Sequence, residues 1–542
     1  MKKKEMKRLS VKQVKQLMNT LRGERGTWES HWQEIEDHIV PRKNTVTVER
    51  TPGQKRTFQL LDNVGVHSNE LLAGVLHSLL TNADTAWFEF TTGNMELDND
   101  DEVRLWLQQQ QRLTHTVINN SNFQTEVHEL YIDLGSIGTA AQLIEEDDVD
   151  IIRFSTKFIR EYFIRENRRG QVDQLFREWM TTVNNLVEEF GLDKLPEVLK
   201  KKYERGEECK VKCVHAVYNK LIAGDATKSQ MPYVSQYILP EYDVELHVGT
   251  FAEFPYVVPR FAKASGETYG RSPGMTALPE LKILNKMNET ILRGAQKMVD
   301  PPIQMPDDGF IMPIVTTPSG INYYRSGTQD LIKPIFNTTQ VEFGYQAMQD
   351  RRQRVRDAFY VDQLRLQPGG PAMTATEVLQ RTEDSMRLLG PMLGRMQAEY
   401  LRPMIDRVFS IMVRRGLVSP APQVLRGKKI DVRYSSLIAK SQRMNDMQNI
   451  SRAIQTVAPF LQIDGAVADV FNGDAAARIV ATGLGVPQEM IRTAREVKAI
   501  RDGRAQQVQA QQDAMAQQQE MVQAQQMAET MKTSAQAQKE AQ

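Results

Sequence analysis

The sequence predicts a mostly helical α+β fold. Apolar residues recur at three-and-four spacing over long stretches near both ends. Short apolar–polar runs crowd into residues 137–260 between them. The length, 542 residues, leaves room for about three or four structural units. An apolar fraction of 41% with 25% charged residues suits a chain that buries a sizeable core.

The elements follow in order. Residues 11–39 read as one amphipathic helix, with Val11, Val14, Met18, Leu21, Trp28, Trp32, Ile35 and Ile39 on a stripe. Ser10 and Gln13 fit a capping box that closes its first turn, and Gly23 and Gly26 weaken its middle. A second helix over 63–82 leads into a strand at Trp87–Phe90, and helices follow near 101–119 and 122–136. The β-rich region contains Ala141–Glu145, Phe158–Arg165, Lys210–Tyr218 and Tyr256–Phe261, interrupted by one helical insert near 171–204. A helix is expected over 276–299, a Pro- and Gly-rich excursion over 300–336, and a helix over 338–362. Pro368-Gly369-Gly370-Pro371 breaks the chain within 363–373. Thr374 and Glu377 then open a helix to about Arg415, with a kink predicted at Gly390-Pro391. A short strand, Ile430–Tyr434, precedes a helical region at 437–503. The tail, 505–542, holds 14 Gln and no Gly or Pro; Val508, Met515 and Val522 form a thin heptad seam. A frayed or partner-dependent helix is expected there rather than a stable coiled coil.

Composition excludes some classes. Lys+Arg and Asp+Glu both number 68, so the chain does not coat nucleic acid by bulk charge, although a local basic stripe is still allowed. Two cysteines exclude a disulfide scaffold and point to a reducing compartment. The start, MKKKEMKRLS, is basic but has no apolar stretch after it, and no run of 18 apolar residues occurs. A soluble chain folded inside a cell, with no membrane partner, is the expectation.

Catalytic signatures are missing. There is no GxxxxGK[ST], GxGxxG or HExxH, and Gly135-Ser136-Ile137-Gly138 lacks nucleophile-elbow spacing and reads as a tight turn. Cys209, Cys213 and His215 would share one face of a strand, yet no fourth ligand accompanies them. A buried thiol pair is the better reading, with no metal and no cofactor. The acidic run Glu145-Glu146-Asp147-Asp148 reads as a loop after a strand.

The informative unit is helix, excursion, helix, break and kinked helix. On the first helix Lys282, Lys286, Arg293 and Lys297 fall in a narrow arc, apart from Ile283, Met287, Ile291 and Met298. On the second, Val341, Tyr345, Met348, Val355 and Phe359 form a stripe, with Arg351, Arg352, Arg354 and Arg356 near its end. A cation every turn attracts a polyanion without reading bases.

This order resembles the portal, or head-to-tail connector, proteins of short-tailed phages. The residues that carry the resemblance are Gly266-Glu267-Thr268-Tyr269-Gly270-Arg271-Ser272-Pro273-Gly274 before the helix from Ala277, and Met373-Thr374-Ala375-Thr376-Glu377-Val378. Leu71-Leu72-Ala73 through Trp87-Phe88, and Arg433-Tyr434-Ser435-Ser436-Leu437, add to it; together they span roughly residues 10–500.

The resemblance implies a wing over 1–268 and stem helices over 269–299 and 338–362, with a clip over 300–337. It implies a tunnel loop over 363–373, a long kinked helix with more wing over 374–436, a crown over 437–503 and a variable tail over 504–542. It also implies a non-enzymatic ring, typically of twelve copies, at the capsid portal vertex of the virion, assembled in the host cytoplasm. Double-stranded DNA would pass through it without sequence preference. Its partners would be the terminase large subunit, tail adaptor and tail proteins, and scaffolding and major capsid proteins.

Candidate DNA-channel residues on this reading are Lys282, Lys286, Arg293, Lys297, Arg351, Arg352, Arg354 and Arg365. Gln367, Pro368, Gly369 and Gly370 form the tunnel loop, where glycine supplies backbone freedom. The alternatives are a head–tail adaptor or other structural ring and, more remotely, a DNA-packaging nuclease or ATPase.

Overall fold

The structure is a computed structural model. It describes residues 7–299 apart from 44, 50, 52, 57–59, 99 and 226–230; positions 303–304, 323 and 333–334; residues 341–364; residues 390–434 apart from 426, 428 and 429; scattered positions between 450 and 493; and residues 494–540. In chain order the elements begin with α1 (Val11–Ile39), α2 (Val64–Leu80), β1 (Phe88–Thr91), α3 (Met95–Asp98), α4 (Asp101–Asn120) and α5 (Phe123–Ser136). The sheet region holds β2 (Ala141–Asp147), β3 (Ile151–Lys157), β4 (Tyr162–Glu166), β5 (Val172–Thr182), α6 (Val183–Phe190), α7 (Glu197–Glu204), β6 (Lys210–Asn219), β7 (Tyr233–Leu239), β8 (Val244–Phe251) and β9 (Tyr256–Val257). Then come α8 (Pro273–Val299), β10 (Ile303–Gln304), β11 (Lys333–Pro334), α9 (Val341–Ala358), α10 (Val361–Leu364), α11 (Arg402–Arg414), β12 (Asp431–Tyr434), α12 (Gly473–Gly483) and α13 (Ala494–Glu540).

The chain divides into two compact units, one of residues 1–88, 112–419 and 434–438, the other of 89–111, 420–433 and 439–542. The first unit is organised on an antiparallel five-stranded sheet of order β4-β5-β6-β7-β8. Side chains on β6 alternate between its faces, as the two-residue strand period requires. Val214, Ala216 and Tyr218 meet Val14, Met18 and Leu21 of α1 in one core cluster, with Phe163, Phe176, Val234 and Ile238. Val211 and Cys213 meet Val183, Leu186, Leu195 and Leu199 around α6 and α7 in another. Strand β6 is thus covered on both sides, and each large apolar residue so buried contributes about 1.5–3 kcal/mol. A second antiparallel sheet has the order β3-β2-β9.

Helix α1 starts as the sequence predicts. The Ser10 hydroxyl accepts from the Gln13 N–H at 3.3 Å, and Gln13 Oε1 accepts from the Ser10 N–H at 2.9 Å. It continues through Gly23 and Gly26 as one 29-residue helix.

The expected insert over 171–204 is corrected. Residues 172–182 form β5, paired with both β4 and β6, and only the two short helices α6 and α7 follow. Strands β3, β7 and β8 fall inside the region expected to be β-rich, although the sequence marks none of them individually. The helix expected over 338–362 ends early: Tyr360 takes φ +59° and separates α9 from α10. Of the 300–337 excursion, the described part is one antiparallel pair, Ile303 opposite Pro334 and Gln304 opposite Lys333. All of 374–389 and most of 437–471 lie outside the described residues, including the chain before Gly390-Pro391. Helical residues run from 390 and pass through a π-turn at Gln397–Leu401 into α11. Such a turn deforms a helix locally.

In the second unit β1 pairs with β12. Asp98 accepts from the Thr92 N–H and hydroxyl, both at 2.8 Å. Helix α13 is 47 residues long, about 70 Å at 1.5 Å per residue, and its described side chains from Arg501 onward are exposed. Among the described residues no helix is long and apolar enough to cross a membrane.

Candidate functional site

The motif Tyr269–Gly274 seats the first turn of α8. The Ser272 hydroxyl accepts from the Met275 N–H at 3.0 Å, capping the helix, and donates to the Ser136 carbonyl at 2.5 Å. The Gly270 N–H donates to Thr139 Oγ1 at 2.7 Å, and Ala262 and Arg271 exchange backbone hydrogen bonds at 3.1 and 2.7 Å. The turn after α5 is the other half of this seat. Gly138 takes φ +85°, and a Cβ there would lie 2.7 Å from the Arg271 carbonyl carbon. A Cβ on Gly274 would lie 2.8 Å from the Ser136 oxygen. Backbone touches backbone, which only glycine permits. Tyr269 packs edge-on to Trp32 with ring centroids 5.0 Å apart.

Helices α8 and α9 pack closely where Gly344 faces Ile291; a Cβ on Gly344 would lie 3.0 Å from Ile291 Cδ1. Met348, Val355 and Phe359 of the predicted α9 stripe are buried, whereas Tyr345 is 50% exposed. Beyond the first turn of α8 the buried residues are Ala277, Leu278, Leu281 and Leu284, whereas Ile283 is exposed and Met287 and Ile291 are half-buried.

The candidate cations are widely ion-paired within the chain. Lys282 meets Glu34 at 2.6 Å. Lys286 and Arg293 share Glu289, at 2.9 and 2.6 Å. Arg351 and Arg354 share Glu280, at 2.6 and 3.6 Å. Arg352 grips the buried carboxylate of Asp62 with two nitrogens, at 3.0 and 2.8 Å. Six cations thus share four carboxylates. Lys286 and Arg293 keep 74% and 71% of their side-chain surface exposed, and the ionised Glu289 between them is held below the usual carboxylate range by hydrogen bonding to Lys286 and the charge of Arg293. Lys297 lies one turn farther along α8 and is also exposed. Arg365, Gln367, Pro368, Gly369 and Gly370 lie outside the described residues.

A family model for the bacteriophage head to tail connecting protein matches residues 11–491. The chain belongs to this head-to-tail connecting family. This connector is 32% identical over 503 residues to the probable portal protein of Bordetella phage BPP-1, covering 90% of each chain. It is 30% identical over 515 residues to the portal protein of Salmonella phage epsilon15, covering 92% of this chain and 91% of the relative. A chain in a solved structure of the neck of an empty GTA particle aligns with TM-score 0.36 and 12% identity, over 77% of this chain and 95% of that one. The family is structural rather than enzymatic.

Elsewhere the connector's titratable groups are structural. His215 is buried, and its Nδ1 and Nε2 lie 2.8 and 2.9 Å from the Tyr256 and Ser235 hydroxyls. Its ring stacks on Tyr237 with centroids 4.0 Å apart. Burial, helped by the Arg177 charge, lowers its pKa to about 3, so it is neutral. Burial pushes the Cys213 thiol up to about 12, which keeps it an inert core group. Among the described residues no group of three or more His, Cys, Asp or Glu is placed to hold a metal.

Sequence reasoning missed the fully buried Arg260. It bonds Glu399 through Nε at 3.0 Å and Nη2 at 2.9 Å, and also Glu166. It missed the carboxylates opposite the candidate cations as well. Only Glu289 was readable, because it stands three residues after Lys286 and four before Arg293.

Proposed function

We propose that this connector is a portal protein. It closes into a ring, near twelvefold, at one vertex of the capsid. Double-stranded DNA enters and leaves through it, and it docks the terminase and later the tail adaptor proteins. The observation that carries the reading is the match to two portal proteins across about nine-tenths of both chains.

The structure supports it with a capped, backbone-seated helix α8, a short excursion closed by β10 and β11, and a return helix α9 packed on the first. On this reading α8 and α9 are the stem, 300–337 is the clip and 363–373 the tunnel loop. The wing comes from 1–268 with 374–436, and the crown from 437–503.

Lys286, Arg293 and Lys297 are the side chains best placed to meet phosphates. They are exposed, and Lys286 and Arg293 share the single carboxylate of Glu289. Arg352 is better read as a clamp on Asp62 than as a DNA contact. A balanced net charge suits non-specific contact with DNA that has to move.

The test is the mass and shape of the purified full chain by mass photometry and negative-stain imaging. A closed ring of about a dozen copies with a central hole is expected. A chain that stays single at high concentration with scaffolding protein present would overturn the reading.

A further inference from the structure

We propose that a cavity at the base of the β2–β3 hairpin receives the acidic tip of the same hairpin from a second copy of this chain. The proposal rests on the ring reading and names one contact that would build the ring.

The cavity has a volume of about 350 Å³, and Arg42, Lys43, Arg56, Lys157, Thr45 and Phe158 are among its walls. Glu126, Glu129 and Asp133 line it as well, and each is already engaged. Glu129 pairs with Arg42 at 2.9 Å and with Lys43 at 3.1 Å, and Asp133 pairs with Lys43 at 2.6 Å. Glu126 accepts from the Thr156 N–H at 2.6 Å. Lys157 differs from the other cations. Its ammonium donates to the Ser155 hydroxyl, and among the described residues no carboxylate lies within ion-pair distance of it. Burial, aided by the Arg177 charge, outweighs the carboxylates of Glu145, Glu161 and Glu126, none of them in contact, and pulls its pKa down to about 8. That is the condition of an amine held away from water without a counter-charge in contact. A carboxylate entering the cavity would supply one.

The far end of the same hairpin carries such carboxylates. Asp147 pairs with Ile151 across the hairpin, leaving Asp148, Val149 and Asp150 as its tip. The Asp147 carboxylate accepts from the Val149 and Asp150 N–H groups at 3.2 and 2.9 Å and holds the tip in shape. Ile151 closes it with φ +69°, a conformation that β-branched residues rarely adopt. Val149 is 87% exposed. Asp148 has a long contact to Arg415 at 3.4 Å, and the Asp150 carboxylate has no partner among the described residues. A valine flanked by acids matches a cavity that offers Phe158 beside an ammonium with no carboxylate in contact.

The two ends cannot meet within one chain. Seven residues of strand place Asp150 about 23 Å from Lys157, at about 3.3 Å per residue. Contact between copies is therefore head to tail, and such a heterologous contact yields a ring when the rotation between copies closes.

The experiment uses the full-length chain. Isotopically heavy and light copies are mixed before assembly and treated with a zero-length carbodiimide that joins amines to carboxylates, and the linked peptides are read by mass spectrometry. A Lys157 link to Asp150 or Asp148 that joins heavy to light peptides is expected. Lys157→Glu and Asp150→Lys should each raise the concentration for half-assembly on the order of tenfold, and the double swap should restore it. Rings that form normally from both single variants, with no such link in the parent, would overturn the contact and leave the ring reading standing. A parent chain that never assembles would overturn both. The linking experiment needs no variant, so misfolding of a substituted chain cannot mask the answer.

Discussion

Replacing Gly138 with alanine tests the seat of α8. The residue takes φ +85°, where an L-side chain costs about 1–2 kcal/mol. The added methyl would also lie 2.7 Å from the Arg271 carbonyl carbon and 2.8 Å from the Gly270 oxygen. Both are backbone atoms, so relief requires the chain itself to move, and overpacking of this kind costs about 1–3 kcal/mol. The total is about 2–5 kcal/mol. Gly266 provides the control. It takes φ +83° at the start of the motif that Gly138 meets and has no atom within 4 Å of where a Cβ would stand, so Gly266→Ala carries only the conformational term. At about 2 °C per kcal/mol for a domain of this size, the variants should melt about 4–10 °C and about 2–4 °C below the parent. Near-UV circular dichroism is the assay, because Trp28, Trp32 and Tyr269 pack beside the seat. Equal shifts for the two variants would refute the claim that backbone contact fastens α8 to the turn after α5.

Four other outcomes are expected. Replacing Lys282, Lys286, Arg293 and Lys297 together with Gln should impair DNA packaging while rings still form; normal packaging would remove this face from the channel. Ser272→Ala loses the cap of α8 and the hydrogen bond to the Ser136 carbonyl, and should cost about 1–2 kcal/mol in urea denaturation. His215 has a folded pKa of about 3, below its unfolded value, so the unfolded chain binds the extra proton between. Stability should therefore fall as pH drops below about 6.5, by about 2 kcal/mol at pH 5 from this group, and His215→Gln should flatten that slope in urea midpoints taken across the range. Deleting Gly369-Gly370 should spare ring assembly and reduce packaging; loss of folding instead would make 363–373 part of the core.

The sequence was most legible where a local rule acts alone. Helix α1 has one wet face, one dry face and a capping box, and its bounds followed. Strand β5 shows the opposite case. Its Val172, Leu175, Phe176, Trp179 and Met180 mimic helical spacing, and pairing with β4 and β6 decided the matter. The strand is half-covered on both faces, so the two-residue alternation that marks β6 is blurred. The glycine motif before α8 was visible, but its partner turn at Gly135–Gly138 reads as ordinary punctuation until folding brings the two together. The cations of α8 and α9 were found by periodicity. Glu34, Glu280 and Asp62 stand 71 to 290 residues away from some of their partners, beyond any local pattern.

On the portal reading, with α8 facing the DNA path, the pairing of those cations would bear on friction. A lone charge pulls on a polyanion with a field that fades slowly, about 0.4 kcal/mol at 10 Å in water, already below thermal energy. A cation with a carboxylate 2.6–2.9 Å away acts as a dipole, and its field fades faster still. For a duplex moving past α8, resistance would come from the contrast between one resting position and the next, not from the mean attraction. Neutralising part of each charge within the same helix flattens that contrast, so a surface can keep hold of phosphates at close range and still let them pass.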